Sequence, residues 1–147
     1  TCAPGDISRY LSRVSQPFLD RMDLCVQVEA LSYEDLHGEE QCESSAKMRE
    51  KATAAAEIQA ARYRPESLHF NSELKAGQIE KYCILEKAAE ELLEDAFRRL
   101  RLSARSYHGI IRTARTIADL DGAVKIGVPH ISEAICFRSA DKSIWRI

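Results

Sequence analysis

Residues 103–120 carry apolar side chains at Tyr107, Ile110, Ile111, Ala114, Ile117 and Ala118, three and four positions apart. That recurrence fits one face of an α-helix. A chain holding such a stripe must also supply other elements to cover it. Ser103 stands at the N-cap position, where its hydroxyl can accept a hydrogen bond from a first-turn N–H that the helix leaves unsatisfied. Asp121-Gly122 closes the segment. Arg105, Arg112, Arg115 and Asp119 fall away from the stripe. They read as a solvated basic face, with an Arg115–Asp119 pair one turn apart worth about a few tenths of a kcal/mol.

The neighbouring sequence supplies partners for the stripe. Leu85, Ala88, Ala89, Leu92, Leu93, Ala96, Phe97 and Leu100 form a second helical face, closed by the cations Arg98, Arg99 and Arg101, which suit a helix C-terminus. Asn71 or Ser72 caps a shorter helix running to Tyr82 or Cys83. After Pro129, residues 130–138 give a last helix packed through Ile131, Ala134, Ile135 and Phe137. Residues 71–138 therefore predict a compact unit of about four helices.

Upstream, residues 44–63 are rich in strong helix formers but offer only a thin stripe of Met48, Ala52, Ala55, Ile58 and Ala61. A long, largely solvated helix is expected there, ended by Pro65. Residues 32–36 read as a short capped helical turn and 37–41 as a loop. Residues 24–31 alternate apolar and polar side chains and predict one β-strand, with Cys25 the awkward member. A first helix is expected from Asp6, with Ile7, Tyr10, Leu11, Val14 and Phe18 on its apolar face and Pro17 breaking or restarting it. The class is mainly α.

Composition sets limits on function. The 21 basic and 23 acidic residues leave a net charge of −2, so no bulk basic signal for nucleic acid exists. No apolar run approaches the roughly 18 residues of a membrane span. The five cysteines (Cys2, Cys25, Cys42, Cys83 and Cys136) are scattered, with no C-x-x-C pair. They read as thiols of a cytoplasmic protein, with no complete metal site. The glycines are isolated and none precedes a Lys followed by Ser or Thr, so the chain holds no phosphate-cradling P-loop. Alone, it carries no complete catalytic constellation.

Two long blocks carry a family resemblance. One is Ile7-Ser8-Arg9-Tyr10-Leu11-Ser12-Arg13-Val14-Ser15-Gln16-Pro17-Phe18-Leu19-Asp20-Arg21-Met22-Asp23-Leu24; the other runs from Leu102 through Tyr107 and Ala114-Arg115-Thr116-Ile117-Ala118-Asp119-Leu120. Together with Glu43-Ser44-Ser45-Ala46 and Asn71-Ser72-Glu73-Leu74 between them, they resemble the magnesium-chelatase-like AAA+ ATPases, the YifB/ComM group. Gln16 stands where that family usually has Gly, and Cys25 where His is usual.

The resemblance implies the C-terminal part of such an ATPase. Residues 1–31 would end the ATPase core, 32–70 form a pre-sensor-2 helical insert, and 71–147 form the helical lid. Arg21 falls where the family places its arginine finger, which acts in trans on the ATP of a neighbouring subunit. Arg112 falls at the sensor-2 position, expected to contact nucleotide held by its own subunit, and Arg115 shares that role or simply flanks it. A guanidinium suits both tasks, being always charged and able to give two parallel donors to phosphate.

The implied partners are a missing N-terminal ATPase core, the neighbouring subunits of a homo-oligomeric, hexameric ring, and DNA. ATP and Mg2+ would serve the full-length protein, with none expected in this chain. The implied function is ring-motor remodelling of DNA, as helicase-like branch migration in recombination or DNA uptake. Two alternatives stay open: the ATPase subunit of a true magnesium chelatase, and a non-catalytic helical interaction domain with merely solvated arginines. Cys2 resembles one member of a cysteine-bearing segment, and a buried or free thiol is its plainer reading.

Overall fold

The stripe at 103–120 folds into the helix that everything else packs around. The computed structural model describes residues 18, 20–30, 33 and 43–144, the last six of these by backbone alone. In it, α1 is Ser45–Tyr63, a single 3-10 turn is Asn71–Glu73, α2 is Ala76–Tyr82, α3 is Lys87–Leu100, α4 is Ala104–Leu120 and α5 is Val128–Ile144. Helix α4 touches α1, the 3-10 turn, α2 and α5, and α5 in turn packs on α3. Ile110, Ile111, Ala114, Ile117 and Ala118 of α4 meet Leu93 and Ala89 of α3 and Ile131 and Ala134 of α5 in one buried cluster. Burying each leucine or isoleucine of that cluster contributes about 1.5–3 kcal/mol. The chain is thus mainly helical, with the lid-like bundle that residues 71–138 predict.

Local chemistry sets most boundaries. The Ser103 hydroxyl accepts from Ser106 N at 3.2 Å and starts α4 as expected. Helix α3 ends with Arg101 in the left-handed region at φ 50°, a C-terminal conformation more often taken by glycine or asparagine. Gly122 takes φ 68° just past α4, so the turn that aims the chain back toward α5 rests on a residue without a Cβ. Helix α5 begins two residues before the expected His130 and runs well past Arg138. Pro129 is tolerated there because its missing N–H falls in the first turn.

Three expectations are corrected. Residues 24–30 form no strand, and no strand occurs among the described residues. An extended segment needs a ladder partner. Here Cys25 N donates to Phe137 O of α5 at 2.9 Å, and Val26 and Val28 stay 67% and 88% exposed. An isolated parallel bridge, Leu85 with Ile126, instead ties the α2–α3 and α4–α5 connections, with Glu86 N donating to Ile126 O and Ile126 N to Ile84 O, each at 2.9 Å.

The buried edge of α1 is also not the apolar stripe that its sequence suggests. Met48 and Ile58 are exposed, and the buried positions are Ala55, Gln59 and Tyr63. Third, the helix expected from residue 71 divides into a 3-10 turn and α2, because Leu74 between them takes the extended region at ψ 125°. The helix expected from Asp6, except Phe18, which is helical, and the loop at 37–41 lie outside the described residues. So does the turn at 32–36, except Tyr33, which is helical.

Candidate functional site

The two arginines of interest come from distant parts of the sequence, and the segment that carries Arg21 settles on α4, the helix that carries Arg112. Arg21 N donates to Phe18 O at 3.0 Å, a turn is formed at Asp20 and Arg21, and Arg21 is exposed. The residues after it settle on α4 and α5. Arg138 Nη2 donates to Asp20 O at 3.4 Å, and Ser106 Oγ donates to Asp20 Oδ1 at 3.5 Å. Asp23 Oδ1 lies 3.9 Å from Arg112 Nη2 and 4.0 Å from Arg138 Nη2.

The Arg112 side chain is 25% exposed, and its Nη1 donates to Leu74 O at 3.3 Å. That bond leans it along the helix toward the 3-10 turn while part of the guanidinium still faces solvent. Both Arg21 and Arg112 therefore present cationic surface that a phosphate could reach.

Arg115 has different surroundings. Its side chain is 1% exposed, and Nε donates to Asp119 Oδ1 at 3.1 Å, Nη1 to Val124 O at 2.8 Å and Nη2 to Ala123 O at 2.5 Å. Nη1 and Nη2 thus hold the α4–α5 connection, while Nε pairs with Asp119 one turn along the same helix. The Arg115–Asp119 pair, expected on a solvated face, is instead buried. One turn of helix separates it from Arg112, and packing of α5 and the connection decides which of the two is covered.

Asp119 is the centre of a polar joint that sequence reading missed. Its Oδ2 accepts from Arg62 Nη1 and Asn71 Nδ2, each at 2.9 Å, and its Oδ1 accepts from Arg62 Nη2 and Arg115. Asn71 adds Tyr63 Oη at 2.6 Å, Thr116 Oγ1 at 3.0 Å and, through its own N–H, Gln59 Oε1 at 3.0 Å. The long helix, the 3-10 turn and α4 are locked together there. Hydrogen bonding to Asp119 raises the Arg62 pKa, and burial raises that of Tyr63. Gln59 and Tyr63, four residues apart, were the available signal, hidden because neither belongs to an apolar stripe.

His130 acts as a cap, accepting from Gly127 N at Nδ1 at 2.8 Å, with Nε2 3.2 Å from Asp121 Oδ2. A cavity of about 370 Å³ between α2, α3 and α4 is lined by Cys83, Tyr107 and His108 among others, and by neither Arg21 nor Arg112. Burial pushes the Cys83 thiol up to about 11. Among the described residues no group of three His, Cys, Asp or Glu side chains could hold a metal ion. No helix there is long and apolar enough to cross a membrane. Cys2 lies outside the described residues.

Comparison with known proteins adds the following. Residues 42–138 match the family model described as magnesium chelatase, subunit ChlI C-terminal, and residues 1–36 match that described as magnesium chelatase, subunit ChlI. Competence protein ComM of Haemophilus influenzae is 41% identical over 146 residues, which cover 99% of this chain and 28% of that protein. Uncharacterized protein YifB of Salmonella typhimurium is 36% identical, covering 96% of this chain and 27% of its own length. An uncharacterized protein of Mycobacterium bovis is 32% identical over 140 residues, covering 93% and 27%. The chain thus spans little more than a quarter of the length of the curated relatives it matches.

Proposed function

Since the chain belongs to the magnesium chelatase subunit ChlI C-terminal family, we propose that it is the lid and adjoining C-terminal region of a magnesium-chelatase-like AAA+ ATPase. Residues 1–31 end the ATPase core, 32–70 are the helical insert and 71–147 the lid. Arg21 is the arginine finger and Arg112 the sensor. The observation that carries this reading is the Asp23 carboxylate, which stands 3.9 Å from Arg112 two residues after Arg21 in the same docked segment.

Arg21 would reach the γ-phosphate of a neighbouring subunit's ATP, and Arg112 the nucleotide held by its own subunit. Arg21 would then stabilise charge as the terminal phosphoryl group transfers to water, and Arg112 would fix the phosphate against the lid. Mg2+ would accompany the nucleotide, and no described residue is assigned to it. Arg115 carries no nucleotide role in this scheme, since its donors hold the α4–α5 connection.

The ring and its substrate are further steps of the same proposal. A finger that acts in trans requires neighbouring subunits, hence a homo-oligomeric ring in the cytoplasm. The competence name of the Haemophilus influenzae relative favours a motor that remodels DNA over one that serves pigment synthesis. The ChlI description of both family models supports the second reading, the ATPase subunit of a true magnesium chelatase.

Full-length Arg21→Ala should bind nucleotide normally and hydrolyse it about a thousandfold more slowly. Mixing it with a subunit whose P-loop lysine is replaced should restore part of the turnover, because each supplies what the other lacks. Wild-type hydrolysis by Arg21→Ala would refute the reading. Stimulation of turnover by branched DNA, against stimulation by a porphyrin-binding large subunit, separates the two substrates.

A further inference from the structure

We propose that Asp23 is a positioning residue that couples the Arg21 turn to the Arg112 helix, with Gly109 kept free of a side chain so that the carboxylate can sit against α4. The inference rests on the ATPase reading above. It goes beyond that reading by assigning a role to three residues, Asp23, Gly109 and Arg138, that belong to neither arginine position.

Three observations meet at one atom. Asp23 Oδ1 lies within 4.0 Å of both Arg112 Nη2 and Arg138 Nη2. A Cβ placed on Gly109 would stand 2.9 Å from that same oxygen, closer than side-chain atoms pack, and a tight 3.2 Å from Arg138 Nη2. Glycine in the middle of a helix is otherwise unfavourable, and Gly109 lies six residues inside α4 with helical neighbours on both sides. The approach of the carboxylate gives it a reason.

Arg138 supplies the third part. Its side chain is 4% exposed, so the charge it carries depends on fixed partners. Its Nη2 holds both Asp20 O and the Asp23 carboxylate, which bracket Arg21. The Asp23 side chain itself is 53% exposed, so as a surface ion pair it adds little to stability. Its effect lies in geometry, since the carboxylate fixes how far the Arg21 turn can move relative to Arg112. Movement of the lid would be passed to the finger through this contact.

The test uses the full-length ATPase, with ATP turnover, nucleotide affinity and thermal melting measured for Asp23→Asn and Gly109→Ala. Gly109→Ala is the sharper variant, because alanine favours the helix while its methyl displaces the flexible Asp23 carboxylate and asks Arg138 Nη2 to give by only a few tenths of an ångström. We expect each variant to lower kcat about tenfold to a hundredfold, the scale of a misplacement of about 1 Å. KM for ATP should stay near wild type, and Gly109→Ala should melt no lower than wild type. Adding either change to Arg21→Ala should cost nothing further, because the displaced group has already been removed.

Wild-type kcat in both variants would overturn the proposal. So would losses that simply multiply with that of Arg21→Ala, or that follow a lowered melting temperature. If Arg21→Ala and Arg112→Ala themselves turn over normally, the ATPase reading falls and this inference with it. If those two are inactive while Asp23→Asn and Gly109→Ala are not, the ATPase reading stands and only the coupling is refuted.

Discussion

Replacing Asp119 with Asn tests the joint that fixes α1 and the 3-10 turn on α4. The change keeps the side-chain shape but removes the charge that accepts from Arg62, Arg115 and Asn71. It also turns one acceptor oxygen into a donor facing other donors. Arg62 is 19% exposed and can turn toward water, but Arg115 at 1% cannot. The dominant loss is therefore one uncompensated buried guanidinium. Removing one partner of a buried pair costs about 3–5 kcal/mol, and the freedom of Arg62 places this case near the lower end. Against a total stability of about 5–15 kcal/mol, that is a large fraction. For a domain of this size, about 3 kcal/mol corresponds to a fall in Tm of about 10 °C or more. Thermal and urea unfolding of Asp119→Asn beside wild type, followed by circular dichroism, would measure it. A loss below about 1 kcal/mol, the level of an exposed pair, would refute the claim that this carboxylate organises the joint.

Three further outcomes follow from the same packing. Gly122→Ala should destabilise the chain by about 1–2 kcal/mol, because φ is 68° there while no atom stands within 4 Å of the added methyl. An unchanged urea midpoint would show that the turn relaxes instead. Cys83 is buried and its pKa is raised from 9.0 to about 11. The unfolded thiol then ionises first, so stability that is complete below about pH 9 is eroded as pH rises toward 11, by on the order of 2–3 kcal/mol. Urea midpoints between pH 8 and 11 should fall more steeply for wild type than for Cys83→Ala. In native protein at neutral pH the exposed Cys136 should alkylate well before Cys83, and equal rates by mass spectrometry would contradict the burial.

Periodicity and caps were enough to place α3, α4 and the bundle they belong to. Both signals are local: the stripe recurs every turn, and Ser103 satisfies its own helix end. The family resemblance, too, came from contiguous blocks around Arg21 and Arg112. Tertiary structure alone decided what each polar residue does. Arg112 and Arg115 sit one turn apart on α4 with the same side-chain chemistry, yet packing of the α4–α5 connection buries one against backbone carbonyls and leaves the other partly open. Residues 24–30 alternate like a strand, but a strand depends on a neighbour that the local sequence cannot supply, and the Cys25 N–H bonds to the end of α5 instead. The meeting of Asp23, Gly109, Arg112 and Arg138 spans more than a hundred residues. No spacing rule reaches that far, because only the packing of α4 on α5 and the docking of residues 20–25 against both bring those groups within ion-pair distance.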